Sequence, residues 1–474
     1  MVVKPALLTL MAAVAVASVQ GQQKKNVLLI MADDMGAMEL GCYGSKLNLT
    51  PNFDRLAQSG VRFQTFFATP VSTPSRVALM TGKYGPNTGH LNMSNLPGGK
   101  GKYDLSTEEY TFGQIFKDAG YVTAMAGKWQ LSGRGETLIF ECGFDEYAAW
   151  IYTNNLPKGE TYKGGYYPEK SQKSTSRYWH PGVMINGKHI ATTKSDYGPD
   201  IYSQFIMDFI KKSVAQDQPF FAYYPMALVH SPWVGTPDHP DVKDNSPEAF
   251  KANVEYCDKI MGRLIKTLED AGVRENTLVI FIGDNGTQNL GKQTVTEWGP
   301  RTPCLISCPG SVQAGIVSDE VVDIPDILAT MVDYAGFKPK NLARLDGKTL
   351  MPLLTGASDT HKPFAVSYYG HYRVIREKEW LLESNMDGSF GELYYCGPNR
   401  NGIDYQRVTD FSKPEAKAAR ERFENYIKTH CLRASMSDED KTEFTGFVAK
   451  HKKVLIKNLG SRYKGTYIDA NSGD

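Results

Sequence analysis

Two clusters of oxygen-bearing side chains follow apolar runs that lie far apart in the chain. Asp33 and Asp34 come directly after the run NVLLIM, and Asp284 and Asn285 come after the run TLVIFI. If both runs are parallel strands of one sheet, their carboxyl ends meet at one edge, where three carboxylates repel each other unless a cation lies between them. These oxygens suit Ca²⁺ or Mg²⁺ better than zinc. Either cluster alone is typical of a turn, but together they predict a divalent metal site.

Ser72, in the segment VSTPSR of residues 71–76, is a second side chain that could take part in a reaction. The sequence predicts that Pro74 delays the start of the next helix to Ser75, which places Arg76 in the first turn, close to Ser72. A serine hydroxyl needs a base before it can act as a nucleophile, and this segment offers no histidine and no Gly-x-Ser-x-Gly elbow. Ser72 is therefore a poor nucleophile for an ordinary serine hydrolase.

Apolar runs of strand length alternate with helical patterns over most of the chain. The predicted strands are 26–31, 121–126, 220–225, 277–282 and 303–308. The letters STEE at 106–109 predict a capping box that opens a helix ending near Gly120, and an apolar stripe predicts a helix over 247–271. This alternation indicates an α/β domain with a large, mostly parallel central sheet flanked by helices.

The last part of the chain has a different pattern. The segment 337–362 is rich in Gly, Pro and polar residues and is typical of a connection. Short antiparallel strands are predicted within 364–384, and helices over 414–430 and 437–455. We therefore expect a catalytic domain of residues 22–350 and a smaller C-terminal α+β subdomain of residues 351–474 with a short antiparallel sheet.

A long polar and aromatic stretch, residues 150–200, interrupts the α/β pattern. Such an insertion is either a substrate loop, whose aromatic rings stack on sugars, or an ordinary surface excursion. Trp179 and His180 lie in this stretch and are predicted to contact a substrate.

The N-terminus predicts an export signal. Lys4 gives a positive start, Ala6–Val19 is apolar but short for a membrane span, and cleavage is expected after Gly21. Residues 1–21 are therefore predicted to be a signal peptide, and the mature protein is expected to be exported without a membrane span.

The overall composition argues against several kinds of partner and cofactor. Lys and Arg total 53 and Asp and Glu total 52, so the net charge of +1 gives no field that would attract nucleic acid or an anionic membrane. The 7 cysteines contain no Cys-x-x-Cys pair, which disfavours a zinc or redox site, and their odd, sparse set is not a disulfide scaffold.

Several segments resemble motifs of the sulfatase family, the formylglycine-dependent enzymes of the alkaline-phosphatase-like superfamily. The segment STPSRVALMTG, residues 72–82, fits the family signature of Cys or Ser, any residue, Pro, Ser, Arg and a later Thr-Gly. The other matching segments are NVLLIMADDMG, AGKWQL, FFAYYPMALVHSPW, VIFIGDNGT and GKQTVTEWGPRTP. The resemblance runs from about residue 25 to the C-terminus and implies an alkaline-phosphatase-like sandwich.

The resemblance implies that a sulfatase-maturing enzyme reads the Ser-x-Pro-x-Arg stretch and oxidises Ser72 to formylglycine. The aldehyde hydrates to a geminal diol, and one diol oxygen attacks sulfur and displaces the substrate alcohol. The second hydroxyl then loses its proton, and the diol sulfate collapses back to the aldehyde. The implied metal is one Ca²⁺, with Mg²⁺ as the alternative. Its implied ligands are Asp33, Asp34, Asp284, Asn285 and the modified Ser72.

The resemblance also implies roles for basic side chains around the nucleophile. Arg76 would orient the diol. Lys128, His230 and Lys292 would surround the sulfate oxygens. His230 or Lys292 would protonate the leaving oxygen. Each residue also has an ordinary explanation, because lysines are common on surfaces and a histidine can cap a strand.

One position departs from the family pattern. After the Gly-Lys-Trp motif the family usually has a histidine that takes the proton from the second diol hydroxyl, whereas this chain has Gln130. Glutamine cannot act as a base near neutral pH, so its predicted role is to hydrogen-bond the substrate or the diol. His90 and His180 are the candidates for a replacement base.

These observations favour an exported bacterial sulfatase that hydrolyses sulfate esters of a glycan, in the periplasm or outside the cell. The Ser form of the motif resembles the type matured by bacterial radical enzymes. The glycan could be a mucin, a glycosaminoglycan or an algal polysaccharide. The alternatives are a phosphate or phosphonate ester hydrolase of the same superfamily, and a glycan-binding homologue whose turnover is impaired by Gln130.

Overall fold

The structure is a computed structural model that describes residues 24–93, 105, 109–131, 135–152, 175–339, 345–387, 389–400, 402–431 and 437–462. The predicted signal peptide, residues 1–21, lies outside the described residues, and so do residues 153–174 of the aromatic stretch. Among the described helices, none combines the length and the apolar character that a membrane span requires.

Strands and helices alternate through the first two thirds of the described chain. The strands are β1 Asn26–Ala32, β2 Val61–Phe67, β3 Val122–Lys128, β4 Glu146–Trp150, β5 Val183–Ile185, β6 Lys188–Ile190, β7 Phe220–Pro225, β8 Thr277–Gly283, β9 Arg301–Thr302, β10 Cys304–Ser307, β11 Ile316–Asp323, β12 Ala365–Tyr369, β13 Tyr372–Arg376, β14 Trp380–Asn385, β15 Glu392–Tyr395 and β16 Gln406–Arg407. The α-helices are α1 Pro51–Gln58, α2 Ser72–Thr81, α3 Gly85–Thr88, α4 Phe112–Asp118, α5 Gly135–Glu141, α6 Gly198–Ala215, α7 Pro247–Asp270, α8 Pro325–Ala335, α9 Met351–Leu354, α10 Pro414–His430 and α11 Asp438–Arg462. Short 3₁₀ helices occupy Ala37–Glu39, Gly41–Tyr43 and Arg274–Asn276.

Within the described residues, the large sheet has 11 strands in the order β11-β2-β10-β8-β1-β7-β3-β4-β5-β6, with β9 paired to β2. Its centre is parallel, because β1 pairs in parallel with β8 and β7, and β3 pairs in parallel with β7 and β4. The strands β10 and β5 each run antiparallel to both of their neighbours, and the edge strand β6 runs antiparallel to β5, so the sheet is mixed. The predicted α/β sandwich is confirmed, and its parallel strands are concentrated in the middle.

Two apolar cores cover the two faces of this sheet. The side chains of β1 alternate between them: Val27, Leu29 and Met31 belong to one core and Leu28 and Ile30 to the other. Helices α2, α4 and α8 cover the first face, and α1, α6 and α7 cover the second. A strand that is buried on both faces has a continuous run of apolar residues. The central strands could therefore be predicted from the sequence.

A second sheet of 5 antiparallel strands, in the order β12-β13-β14-β15-β16, lies in the C-terminal part of the described chain. Phe444 and Val448 of α11 belong to one core of this sheet, together with Phe67 and Val71 from the larger sheet region. The helix α10 contributes Phe423 to the core on the other side. The antiparallel strands and both helices agree with the sequence pattern, and the domain boundary at residue 350 stays a prediction.

The predicted starts of two helices are wrong. The helix α2 begins at Ser72 and not at Ser75, because a proline in the first helical turn lacks only an N–H group that has no partner there anyway. The helix α4 begins at Phe112, where Thr111 and Gln114 form a capping box, whereas the box predicted at 106–109 falls largely on residues 106–108, which lie outside the described residues.

Candidate active site

The two predicted acidic clusters meet at one edge of the large sheet. The strands β1 and β8 are parallel neighbours, and the register of this pair ends with Ala32 opposite Gly283, so the residues that follow emerge side by side. The backbone N–H of Asp34 donates to Oδ1 of Asp284 at 3.0 Å, and Nδ2 of Asn285 donates to Oδ1 of Asp34 at 2.8 Å. The side chains of Asp33, Asp34, Asp284 and Asn285 are all 0% exposed.

Ser72 lies at the start of α2 and points into this acidic cluster. Its Oγ is 3.1 Å from Oδ1 of Asn285 and 3.4 Å from Oδ1 of Asp33. Because the helix begins at Ser72, the hydroxyl lies at a helix N-terminus, which favours negative charge on a group bound there. The nearby Ser75 fixes the helix by donating to the backbone carbonyl of Asp284 at 2.5 Å.

Arg76 and Lys128 neutralise part of the acidic cluster. Nη2 of Arg76 lies 2.8 Å from Oδ2 of Asp284, and Nζ of Lys128 donates to both oxygens of Asp33 at 2.8 Å. Nζ of Lys128 is also 3.4 Å from Oγ of Ser72. The glycine before Lys128 is required here, because a Cβ at Gly127 would lie 2.0 Å from a backbone oxygen of β7. Both basic residues therefore contact the acidic cluster, and their catalytic roles stay predictions.

His230 and Lys292 form a hydrogen-bonded pair on the other side of the cluster. Nζ of Lys292 lies 2.7 Å from Oδ2 of Asp34 and 3.1 Å from Nε2 of His230. Nδ1 of His230 lies 2.6 Å from the carbonyl oxygen of Ser231, so this nitrogen carries the proton and Nε2 accepts from the lysine. The pair therefore presents one ammonium group and one neutral imidazole.

The pKa values of these groups follow from burial and from their neighbours. Burial alone would raise the pKa of Asp33, but the combined charges of the basic groups around it, with Lys128 the largest, outweigh burial, and the pKa lies well below its usual range. Burial and the charge of Asp33 raise the pKa of Asp284 to about 6. Burial lowers the pKa of Lys128 to about 8 and that of His230 well below 6.5. The raised pKa of Asp284 reflects its crowding by Asp33, and a cation between these carboxylates would relieve that repulsion.

The donor set fits a hard divalent cation. Asp33, Asp34 and His230 each offer one ligand atom, and these atoms all lie within 4.8 Å of one another. The metal ligands predicted from the sequence do not include His230. They include Asp284 and Asn285, which are both hydrogen-bonded to Asp34. The oxygens among these donors are the ligands that Ca²⁺ and Mg²⁺ take. The acidic cluster is therefore a candidate metal site.

Arg177 belongs to the site but was missed by the sequence analysis. Its Nη1 lies 3.3 Å from Oδ2 of Asp33, and its side chain is 4% exposed. It lies inside the aromatic stretch, in no matching motif, so the only sequence signal was a single arginine between Ser176 and Tyr178 in a segment read as a loop.

The remaining predicted site residues make contacts of their own, and their roles stay predictions. Gln130 has a left-handed backbone with a φ of 55°, and its Oε1 is buried with no hydrogen-bond partner among the described residues. The indole N–H of Trp179 donates to the carbonyl of Gly235 at 2.7 Å. The backbone N–H of His180 donates to a carbonyl at 2.9 Å. Nδ1 of His90 lies 3.1 Å from the carbonyl of Thr88, and this side chain is buried.

A buried carboxylate ties the segment that carries Lys292 to the smaller sheet. Oε2 of Glu297 accepts from Nε of Arg376 on β13 at 2.8 Å, and Oε1 accepts from the hydroxyl of Tyr405 at 2.9 Å. The same segment is tightly folded, because a Cβ at Gly286 would lie 2.1 Å from the carbonyl of Trp298. Glu297 begins the stretch EWGPRTP, residues 297–303, of the quoted segment GKQTVTEWGPRTP, and these contacts explain structurally why a glutamate stands there.

We expect the Glu297→Gln variant to be less stable than the wild type by about 3–5 kcal/mol, because Arg376 would remain buried without its opposite charge. Urea unfolding followed by circular dichroism measures this difference. The double variant Glu297→Gln, Arg376→Met removes both charges and should recover a large part of the loss. An unchanged unfolding free energy in the single variant would contradict this assignment.

The comparisons with known proteins decide the family. A family model described as Sulfatase matches residues 25–337, which is more than half of the chain. The chain belongs to the sulfatase family. Its enzyme class is that of the sulfuric ester hydrolases, as the sequence resemblance predicted, and the sulfatase motifs quoted above lie within the matched residues.

Individual relatives agree with this sulfatase assignment. The chain is 31% identical to human N-acetylgalactosamine-6-sulfatase over 432 residues, covering 82% of this chain and 78% of that protein. It is 32% identical to human arylsulfatase A over 404 residues, covering 78% and 74%. Among solved structures, Ps i-CgsB in complex with k-i-k-neocarrahexaose superposes with a TM-score of 0.71 and 24% identity, covering 92% of this chain and 100% of that one. That likeness supports the alkaline-phosphatase-like fold.

Proposed function

We propose that this sulfatase is an exported bacterial enzyme that releases sulfate from a glycan. It would use one bound Ca²⁺ and a formylglycine that is made from Ser72. The observation that carries the proposal is the position of Oγ of Ser72, 3.1 Å from Asn285 and 3.4 Å from Asp33, among three buried carboxylates. Oxidised and hydrated, residue 72 would supply the oxygen that attacks sulfur. The ion, held by the acidic cluster, would supply Lewis-acid stabilisation of negative charge.

The basic residues divide into two groups around the proposed reaction centre. On the side of Asp33, Lys128 lies 3.4 Å from Oγ of Ser72 and can bind a sulfate oxygen while it orients the nucleophile. On the side of Asp34, Lys292 and His230 share a hydrogen bond of 3.1 Å. This pair can pass a proton from Nζ to the oxygen of the leaving alcohol. Without that proton the alcohol would leave as an alkoxide, which is a poor leaving group.

A glycan substrate is supported by one relative and by the sequence around the site. The relative N-acetylgalactosamine-6-sulfatase is named for a sulfated sugar. The neighbour Ps i-CgsB was solved with k-i-k-neocarrahexaose. In this chain, Trp179 and His180 lie two and three residues after the site residue Arg177 and can contact a sugar ring. The same proposal includes export with cleavage after residue 21 and a catalytic domain of residues 22–350. It also includes maturation of Ser72 by a dedicated enzyme.

A screen of matured protein against defined sulfated saccharides tests the proposal. We expect sulfate release, measured by ion chromatography, from at least one saccharide and none from its desulfated form. Conversion of Ser72 is checked by mass spectrometry of its tryptic peptide before the assay. Paired sulfate and phosphate esters of one alcohol should show faster hydrolysis of the sulfate, and faster phosphate release would favour the phosphate hydrolase.

Gln130 supports a second candidate function, that of a glycan-binding homologue with little turnover. It occupies the position after the Gly-Lys-Trp motif, where the resemblance implies a histidine that accepts a proton, and glutamine cannot accept one. Calorimetric binding of a sulfated saccharide without sulfate release, by protein whose conversion at Ser72 is complete, would favour this function over the enzyme.

A further inference from the structure

The helix α11 packs against two chain segments that carry residues of the candidate active site. One apolar core joins the first half of the helix to the residue before Ser72, and it contains Phe444, Val448 and Val71. A second apolar cluster joins the last half of the helix to the segment that carries Lys292, and it contains Leu455, Leu459, Leu290 and Trp298. The side chain of Asn458 also donates to the carbonyl of Asn289 at 2.6 Å. The helix therefore borders the site.

The charge of α11 changes along its length. Its first turn is acidic, as the helix dipole favours. Residues 444–468 then contain 6 Lys and Arg residues and no Asp or Glu, although the net charge of the whole chain is only +1. The helix ends at Arg462, and Lys450 and Lys453 lie more than two turns before that end. The dipole does not explain these two lysines, because its effect fades within the last turn.

Three of the lysines share one exposed side of the helix. Positions that are three and four residues apart lie on the same side of an α-helix. The three exposed lysines with this spacing, which we call the lysine face, are Lys450, Lys453 and Lys457. Within the described ranges none of them has an acidic partner, whereas Lys452 lies 3.5 Å from a carboxylate oxygen of Glu383. The three positions span about 10 Å along the helix, which is too long for one small anion and suits a chain of anionic groups.

We propose that the lysine face binds the anionic chain of a polymeric, multiply sulfated glycan while one of its sulfate esters lies in the site. This inference rests on the proposed function. Lysine carries a point charge on a flexible stem, so it suits anions whose positions vary along a chain. The substrate class that follows is a polymer with further sulfate groups beyond the one that is cleaved.

Charge and burial favour this occupant over a membrane surface. A helix that lies on a membrane inserts its apolar side among the lipids. The apolar side of α11 is already buried in protein, where Phe444 and Leu455 belong to packed clusters. Because the net charge of +1 gives no long-range attraction for a polyanion, such attraction must come from a local group of basic side chains. The lysine face is such a group.

Binding of dextran sulfate to protein with unmodified Ser72 tests the proposal without any turnover. Isothermal titration calorimetry at low and high salt compares the wild type with the triple variant Lys450→Gln, Lys453→Gln, Lys457→Gln. The matched control loses the same charge on α7, where each exposed lysine has a carboxylate partner, and its changes are Lys251→Gln, Lys259→Gln and Lys266→Gln. Uncharged dextran and phosphatidylglycerol vesicles are the other two probes. Thermal unfolding checks that each variant is folded.

We expect the triple variant to bind dextran sulfate about 10-fold more weakly or worse, since three exposed charge contacts of modest strength are lost together. The wild-type affinity should fall as salt rises, and it should fall less steeply in the variant. The α7 control should bind like the wild type, and uncharged dextran should not bind.

The proposal is overturned if the folded triple variant binds dextran sulfate as tightly as the wild type, or if the α7 control weakens binding as much. Wild-type protein that binds the vesicles but not dextran sulfate overturns it in favour of a membrane partner. If the triple variant does not fold, the three single variants replace it. Wild-type affinity in all three then overturns the proposal, and weakened binding in them supports it.

This result is separate from the test of the proposed function. Failure of the function appears as wild-type protein with complete conversion at Ser72 that releases no sulfate from any saccharide. Failure of the lysine-face assignment appears as unchanged affinity for dextran sulfate in unmodified protein. For the active enzyme, the triple variant should lower kcat/KM for a sulfated polymer about 10-fold more than for the matching sulfated monosaccharide.

Discussion

Replacing Ser72 by alanine is expected to abolish sulfate release while the protein remains folded. The hydroxyl that would be oxidised lies 3.1 Å from Oδ1 of Asn285 and 3.4 Å from Nζ of Lys128. Alanine at this position offers no oxygen to attack sulfur and no group for the maturing enzyme. Loss of a nucleophile lowers kcat by about 10⁵-fold or more. Ion chromatography of released sulfate measures this effect on the saccharide identified in the screen.

The matched control is Thr73→Val, one residue further along the same helix. Thr73 is buried, and valine keeps its shape while removing its hydroxyl. Because this position can hold any residue in the Ser-x-Pro-x-Arg signature, maturation and activity should stay close to those of the wild type. An undiminished rate in Ser72→Ala would show that the reaction does not use this residue, and the proposed mechanism would be wrong.

Replacing Asp284 by asparagine is expected to remove the divalent ion and nearly all of the activity. Asp284 is fully buried, and its carboxylate both faces Arg76 at 2.8 Å and accepts from the backbone N–H of Asp34. Asparagine keeps the size of the side chain but removes one of the negative charges that attract the ion. Since a bound cation contributes several kcal/mol to catalysis, kcat should fall by about 10³-fold or more.

Mass-spectrometric metal analysis of dialysed protein measures the ion directly in this variant. The control is Asp258→Asn, because Asp258 is also a buried carboxylate but lies on α7, where it accepts from the backbone N–H groups of Asn52 and Phe53. The control should keep the metal content of the wild type. Full metal occupancy in Asp284→Asn would contradict the assignment of Asp284 as a ligand.

Much of the fold was readable from the sequence because the central strands are buried on both faces. The apolar runs at 26–31 and 277–282 correspond to β1 and β8, and their parallel pairing follows from the intervening helices. The direction of β10 was not readable, since an apolar run does not show whether a strand is antiparallel. The helix starts at 72 and 112 differed from the prediction because a proline is tolerated in a first turn and because two capping signatures lie close together.

For the candidate site, too, the residues in local sequence motifs were predictable and the residue placed by tertiary contacts was not. Ser72, Arg76 and Lys128 lie in short motifs, so their convergence on the acidic cluster followed from the motifs and from the position of strand ends. Arg177 was missed because its place depends on stacking over Trp150 and on a contact with Asp33, and neither leaves a local pattern. A residue placed by tertiary contacts alone has no periodicity or spacing to reveal it.

A crystal structure of the matured protein grown with Ca²⁺, with the ion located by its anomalous scattering, tests the central claim most directly. The account predicts one calcium peak at about 2.3–2.6 Å from oxygens of Asp33, Asp34, Asp284, Asn285 and an oxidised residue 72. A calcium peak elsewhere, or a residue 72 whose oxygens lie outside the coordination shell, would contradict it.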